Sequence, residues 1–351
     1  MSANMDKMIA VVIPVYNAEK YIQQCIESVL NQKSQNFRLV IVDDGSTDNS
    51  LQIIKSLGPK HKGHIIRQEN AGVSAARNSG IDYVLNHLNA KYIMFLDADD
   101  VWFPSWYDTE VEKLISEDFD TIIFNSCKLT QDLKRKEKTG NTFKGVISGG
   151  DKAVQMNSKH FGSTIYKTEL LRNCNIRFHN GQRLGEDLDF RLEAMALSKN
   201  CFFSDKLVYG YRENTKSVSH SSFTALYHYE DLISGWIKSD QNIMVNGGNS
   251  KSAIKSAMYY IDDMVRDAIR EGEKLSDIIR VLNRFENLIN KKSPEVSVEQ
   301  YVQKFSSSWI FKQRLIGVLE KIRKHLFALP IIRHILIMKK YPIICNTFDE
   351  H

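Results

Sequence analysis

Chemistry in this chain is concentrated first at Tyr92-Ile-Met-Phe-Leu-Asp-Ala-Asp-Asp100, where an apolar run stops abruptly in three carboxylates, Asp97, Asp99 and Asp100. Carboxylates crowded at the exit of a strand repel one another unless positive charge sits among them. A bound divalent cation supplies that charge, and so does a helix N-terminus just beyond. Asp-x-Asp by itself does not separate these readings from a capping or solvated loop. The elements around it have to decide.

Those elements alternate. Ile9-Ala-Val-Val-Ile13 is an apolar, β-branched run closed by Pro14 and reads as a buried parallel strand. Ile22, Cys25, Ile26, Val29 and Leu30 recur at helical spacing. A second strand over 37–42 ends in Asp43-Asp44-Gly45-Ser46, and Thr47 to Asn49 offer caps for a helix through Leu57. A short strand over 64–67, a long helix over 72–88 and the strand over 92–96 follow. Further on come a helix over 106–115, a strand over 121–127 and a lysine-rich loop or edge excursion over 128–150. Helices are expected at 151–157, 168–174 and 185–198, with one or two strands in 201–211.

This alternation predicts an α/β fold with a doubly wound, mostly parallel sheet, where ligands bind beyond the carboxyl ends of the strands. Three such ends carry polar clusters: Pro14 to Asn17, Asp43 to Ser46, and Asp97 to Asp100. No GxGxxG follows the first strand and no Walker lysine motif is present, which argues against dinucleotide-binding and P-loop readings.

At 351 residues, with 42% apolar and 25% charged residues, the chain can bury the core of one catalytic domain plus an appendage. Its five cysteines are odd in number and lack CxxC spacing, so buried reduced thiols and a cytoplasmic setting are expected. The sequence enters its first strand without a signal-peptide pattern, and no apolar segment approaches the roughly 20 residues that span a bilayer.

Taken in order, Val12-Ile-Pro-Val-Tyr-Asn17, Val42-Asp-Asp-Gly-Ser46, Asn70-Ala-Gly-Val-Ser-Ala-Ala-Arg-Asn78, Leu96-Asp-Ala-Asp-Asp100, Gly185-Glu-Asp187 and Tyr209-Gly-Tyr-Arg212 resemble the motifs of glycosyltransferase family 2. The resemblance implies an inverting nucleotide-sugar transferase with a GT-A fold and covers about 8–220. A boundary region over 221–250 and an α-helical C-terminal extension over 251–351 are expected beyond it.

Carried onto this chain, the resemblance implies that Asp97 meets the ribose or sugar of the donor and that Asp99, with Asp97, holds Mn²⁺ or Mg²⁺. Asp100 either joins them or caps a following helix. Pro14, Tyr16, Asn17, Asp43 and Asp44 would cradle the nucleoside, with Tyr16 stacking on the base and one of the aspartates accepting from a uracil N–H. Arg77 would reach the nucleotide or pair with Asp43 and Asp44. Inverting transfer needs one base for the acceptor hydroxyl, and Asp187 fills that role, with Glu186 positioning it. Both acids would also suit a helix dipole. Arg212 is expected at the diphosphate and His220 as a further metal ligand.

In the tail, Leu315, Val318, Leu319, Ile322 and Leu326 line one helical face, and Arg314, Lys321, Arg323 and Lys324 occupy much of the rest. Such a segment fits in-plane attachment to an anionic membrane, or a helix docked on the catalytic domain; it does not fit nucleic-acid binding. The expectation is therefore a transfer from a nucleotide sugar, preferentially a UDP-sugar, to a lipid-linked glycan acceptor in surface-polysaccharide assembly at the inner membrane face. The rivals are a catalytically inactive nucleotide-sugar-binding or scaffold protein, and a nucleotidyltransferase. The latter would want a glycine-rich, basic loop where this chain has Pro14-Val-Tyr-Asn-Ala-Glu-Lys20.

Overall fold

A computed structural model describes residues 8–34, 36–57, 63–139, 143–149, 161–182, 185–213 and 225–248, with single positions 269, 274, 276 and 280. The chain divides into two compact units, Met1–Met258 and Tyr259–His351, and the sheet with its acidic strand ends belongs to the first. The expected helix over 151–157, His220 and the basic tail lie outside the described residues.

The first unit is built on a mixed ten-stranded sheet. Its strands are β1 (Ile9–Val15), β2 (Phe37–Asp43), β3 (His64–Arg67), β4 (Tyr92–Phe95), β5 (Val101–Trp102), β6 (Thr121–Leu129), β7 (Arg135–Thr139), β8 (Gly145–Ser148), β9 (Thr164–Lys167) and β10 (Asn200–Arg212). They lie in the order β3-β2-β1-β4-β9-β6-β10-β5, with β7 on β6 and β8 on β10. The first four are parallel, as are β6 and β10. Between these two parallel groups β9 runs antiparallel to both β4 and β6. The chain steps outward from β1 through β2 to β3 and then crosses back over β2 and β1 to β4, so the carboxyl ends of β1 and β4 flank the point where strand order reverses.

Side chains alternate across the sheet with the period of two that a strand imposes. Ile9, Val11 and Ile13 face a core shared with Ile22, Cys25 and Ile26 of α1 (Ile22–Leu30), Ile54 of α2 (Ser50–Ser56), and Val111 and Ile115 of a helix over Thr109–Ser116. Ala10 and Val12 face the other core, with Ala76, Ile81 and Val84 of α3 (Val73–His87). Leu171 of a helix over Thr168–Asn173 and Phe190 of a helix over Glu186–Leu197 join that side. In chain order these three later helices are α4, α5 and α6. Gly80 lets α3 approach closely, because a Cβ there would stand 2.4 Å from Val12 Cγ1.

Several expectations change. β1 does not stop at Pro14 but runs through it to Val15. Val12 accepts from Leu96 on the β4 side, so Pro14, two residues on, also faces that side. Pairing with β4 has by then ended at Val12, and the missing N–H falls where no partner strand continues. The stretch over 128–150 contains the edge strands β7 and β8. The expected boundary over 221–250 contains a helix, α7 (Ala225–Val245), within the first compact unit. Among the described residues no helix is long and apolar enough to cross a membrane.

One connection matters most for the site. The acidic segment leaves β4 and arrives on β5, which pairs antiparallel with β10 through Trp102 and Val101. β4 and β10 are separated by β9 and β6, roughly 14 Å at normal strand spacing. Leu96 to Asp100 therefore form a strap across the carboxyl edge of the sheet.

Candidate active site

No helix starts behind the acidic strap. Asp100 leads into β5, and α4 begins only at Thr109, capped by Asp108, whose Oδ1 accepts from the N–H groups of Glu110 and Val111. The helix-cap reading of Asp100 is thus corrected. Its carboxylate is buried and accepts from the Tyr209 hydroxyl at 2.6 Å and the Arg212 N–H at 2.8 Å. Burial, followed by Asp99 and Asp97, pushes the Asp100 carboxyl well above the ordinary range, which eases the repulsion within the strap. Cys25, beneath the strap on α1, donates its thiol to the Asp97 carbonyl at 3.5 Å. Burial and the three neighbouring aspartates push that thiol up as well.

The missing positive charge is Arg77. It is 4% exposed and lies on α3 over the adjoining rings of Phe161 and Phe178, 5.0 and 5.1 Å from their centroids. Its Nη2 donates to Asp97 Oδ1 at 2.8 Å and its Nη1 to Glu186 Oε1 at 3.0 Å. Burial works against this cation, but Asp97 and Glu186 hold its pKa above the ordinary value. The structure thus gives Arg77 different partners from the Asp43 and Asp44 pairing weighed from sequence. Asp97 remains partly open to solvent and Asp99 is half-buried.

Glu186 and Asp187 open α6, with Gly185 at φ 77° supplying the left-handed turn into the helix. Burial and then Asp187 raise the Glu186 carboxyl to about 7, against the opposing pull of Arg77. Asp187 Oδ1 accepts from the N–H of Leu188 at 2.8 Å. The two acidic motifs, roughly ninety residues apart in sequence, therefore meet across one guanidinium.

At the end of β2 the aspartates are held by their own loops. Asp44 accepts from the Gln68 amide at 2.7 Å and from the N–H groups of Ala71 and Gly72, both at 2.9 Å. This fixes the loop that starts α3. Asp43 is fully buried; its Oδ1 takes the Ser46 N–H at 3.1 Å, and its Oδ2 lies 3.4 Å from Arg67 Nε without a hydrogen bond. Asn17, at φ 50°, accepts from the Thr47 N–H at 2.8 Å and joins the β1 loop to the β2 loop. Pro14 is buried beneath this junction, and Tyr16 beside it is 53% exposed, with its ring available to a ligand.

Arg212, expected at the diphosphate, is engaged with neighbouring protein groups. Its guanidinium is buried and bound to protein: Nε donates to the Asp99 carbonyl at 2.8 Å, Nη1 to the Gln131 carbonyl at 3.2 Å, and Nη2 to Gln24 Oε1 at 2.8 Å. It also lies over the Tyr21 ring. It ties the strap to α1. Sequence reasoning missed Tyr209, Phe161 and Phe178 as site residues. Tyr209 opens the Tyr209 to Arg212 motif, but nothing local reveals that its partner Asp100 lies 109 positions away.

The sequence profile described as "Glycosyl transferase family 2" matches residues 10–174. The chain is 30% identical over 240 residues to glycosyltransferase GlyG of Streptococcus pneumoniae, covering 62% of this chain and 75% of that protein. The chain belongs to glycosyl transferase family 2. Glycosyltransferase GlyA of the same organism is 28% identical over 61% of the chain, which spans only 32% of GlyA. The minor teichoic acid biosynthesis protein GgaA of Bacillus subtilis is 32% identical over 52% of the chain and 42% of its own length. Among solved structures, S. aureus TarS 1-349 in complex with UDP has a TM-score of 0.63 at 18% identity and covers 91% of this chain and 92% of that one. That likeness establishes the GT-A-type fold of this family 2 member.

Proposed function

We propose that the protein is an inverting, metal-dependent glycosyltransferase that moves a sugar from a UDP-sugar to a hydroxyl of a glycan acceptor in surface-polysaccharide assembly. The observation that carries this reading is the Arg77 fork, which brings Asp97 of the strap and Glu186 of α6 to one place. A donor at the strap and a hydroxyl nucleophile at α6 would then face each other. The TarS structures hold UDP and UDP-GlcNAc, and GgaA acts in minor teichoic acid biosynthesis; both support the donor class and pathway.

Among the described residues no group of three or more His, Cys, Asp and Glu is arranged to hold a metal. The strap instead fits a Mg²⁺ or Mn²⁺ held by one or two carboxylates, Asp99 and Asp97, with diphosphate oxygens and water completing the shell. Such an ion neutralises the leaving diphosphate when bound. Asp187 takes the proton of the acceptor hydroxyl as its oxygen attacks the anomeric carbon from the face opposite the diphosphate. Glu186, held by Arg77, positions it. At the base, the exposed Tyr16 ring offers a stacking face, and Asp43 and Asp44 hold the loops beside it.

The test is a thermal-shift panel of nucleotide sugars with and without Mn²⁺. A bound donor at 100 times its Kd should stabilise by about 2.7 kcal/mol, and Asp187→Asn should retain that shift while losing transfer by about 10²–10⁴-fold. No shift with any nucleotide sugar sinks the function; near-normal turnover of Asp187→Asn removes it as the base. The acceptor is lipid-linked and presented at the inner membrane face, supported by the basic amphipathic pattern over 309–340. Deleting 309–351 should then release the protein from anionic vesicles in a flotation assay, and unchanged flotation refutes this part.

A further inference from the structure

A pocket of about 360 Å³ opens one residue beyond the acidic strap, between α1 and β5. One wall is polar and comes from a single helical face and its end: Gln24, Glu27, Ser28 and Asn31. The residues between them, Cys25, Ile26 and Val29, turn into the core, so the 3.6-residue period presents this wall outward. The facing wall is apolar, built from Phe103 and Leu133 over the buried side chains of Val101, Trp102 and Leu129. Its frame is fixed. Gln32 donates to the carbonyls of Ser28 and Phe103, at 3.0 and 2.9 Å, and the Trp102 N–H donates to Ser28 Oγ at 3.0 Å, clamping the helix end to the strand.

The volume lies at the lower end of the ~300–1,000 Å³ usual for small-molecule sites. The chemistry of the lining narrows the occupant. Among the described residues the lining holds one carboxylate and no Lys or Arg, and the guanidiniums of Arg212 and Arg135 reach its walls only at Gln24 Oε1 and over the Phe103 ring, so the lining favours an uncharged ligand. Amide and hydroxyl side chains both donate and accept, which matches the sugar hydroxyl, a group that does the same. The apolar wall, where Arg135 lies over the Phe103 ring at 4.7 Å, offers Phe103 and Leu133 as packing surface for the C–H groups of a sugar. The pocket is also wired to the strap: Arg212 donates to Gln24 Oε1 on its wall and to the Asp99 carbonyl behind it.

We propose that this pocket is a neutral-saccharide subsite that holds a sugar unit of the acceptor distant from the reacting hydroxyl. The acceptor role rests on the proposed transferase function; the binding of a neutral sugar does not. The experiment is saturation-transfer NMR on the full chain with N-acetylglucosamine, N-acetylgalactosamine, glucose and galactose as separate probes, in the presence of saturating UDP. At least one sugar should receive saturation, and its signal should fall at least tenfold in Asn31→Arg, which places a long cation on the polar wall from an exposed position. Phe103→Leu, which removes the ring but keeps an apolar side chain, should weaken the same signal. UDP-induced thermal shifts should be equal in wild type and both variants. No saturation of any probe overturns the proposal, as does a signal untouched by both substitutions, which would mark adventitious binding only. Should nucleotide sugars fail to bind while the sugar signal behaves as described, the transferase reading falls and the saccharide site stands.

Discussion

At the end of β2, Asp43 and Asp44 take their hydrogen bonds from loops within about thirty residues, largely from backbone N–H groups. At the end of β4, Asp97 and Asp100 are met by side chains and backbone from α3 and β10, up to 112 residues away. Both ends read the same in sequence, adjacent aspartates closing an apolar strand. The difference lies in what remains afterwards. Asp44 is saturated and shapes a loop, whereas Asp97 is balanced by one shared cation and stays partly open to solvent. A carboxylate whose charge is spent on local N–H groups is scaffold; one balanced through a two-acid fork retains capacity for a ligand.

The largest effect expected from disturbing this contrast is at Arg77. Arg77→Leu leaves Asp97 and Glu186 without their cation and should cost about 3–5 kcal/mol in urea unfolding, as for other broken buried pairs. Arg77→Lys keeps the charge but cannot fork to both acids, and should recover part of that loss. A destabilisation below about 1 kcal/mol for Arg77→Leu would mean that the fork does not hold the two motifs together.

The second test sets the strand ends against each other. Asp44→Asn places an NH₂ group against N–H donors and should lower stability by about 1–3 kcal/mol, with turnover of the folded fraction little changed. Asp97→Asn should do the reverse, lowering transfer by about 10²–10³-fold with a midpoint shift smaller than that of Asp44→Asn. Parallel effects of the two changes on stability and turnover would erase the distinction.

The smallest effect concerns Glu186. Its carboxyl is raised from 4.5 to about 7 in the folded protein, so the native state holds its proton more tightly than the unfolded chain. The stability it contributes is complete below about 4.5 and is lost as pH rises through about 7. Glu186→Gln should therefore gain on the wild type between pH 5 and pH 8 in thermal melts, and an inflection near 7 in the wild-type kcat/KM profile should flatten. A pH-independent difference between the two proteins would place the ionisation elsewhere.

Much of the parallel half was legible because its strands are apolar runs ended by turn residues and α1 carries an apolar stripe at helical period. The acidic motifs were legible for the same reason, since their residue types announce chemistry. What sequence could not supply was the geometry between distant segments. Thr164–Lys167 is too short to announce an antiparallel strand inside a parallel sheet. The burial of Arg77 over two adjoining rings depends on Phe161 and Phe178, which look like ordinary core residues. The protein partners of Arg212 were not legible either, since Gln24 and Gln131 carry no charge and lie 188 and 81 positions away.

The strap from β4 to β5 also bears on how the molecule comes apart. Because Leu96 to Asp100 are anchored at one end in the first parallel group and at the other against β10, neither half of the sheet can peel away without pulling the acids from Tyr209 and Arg212. Local opening of either half would dismantle the same cluster, so the amides of β1 and β10 belong to one cooperative unit whose slowest hydrogen exchange should share one opening free energy.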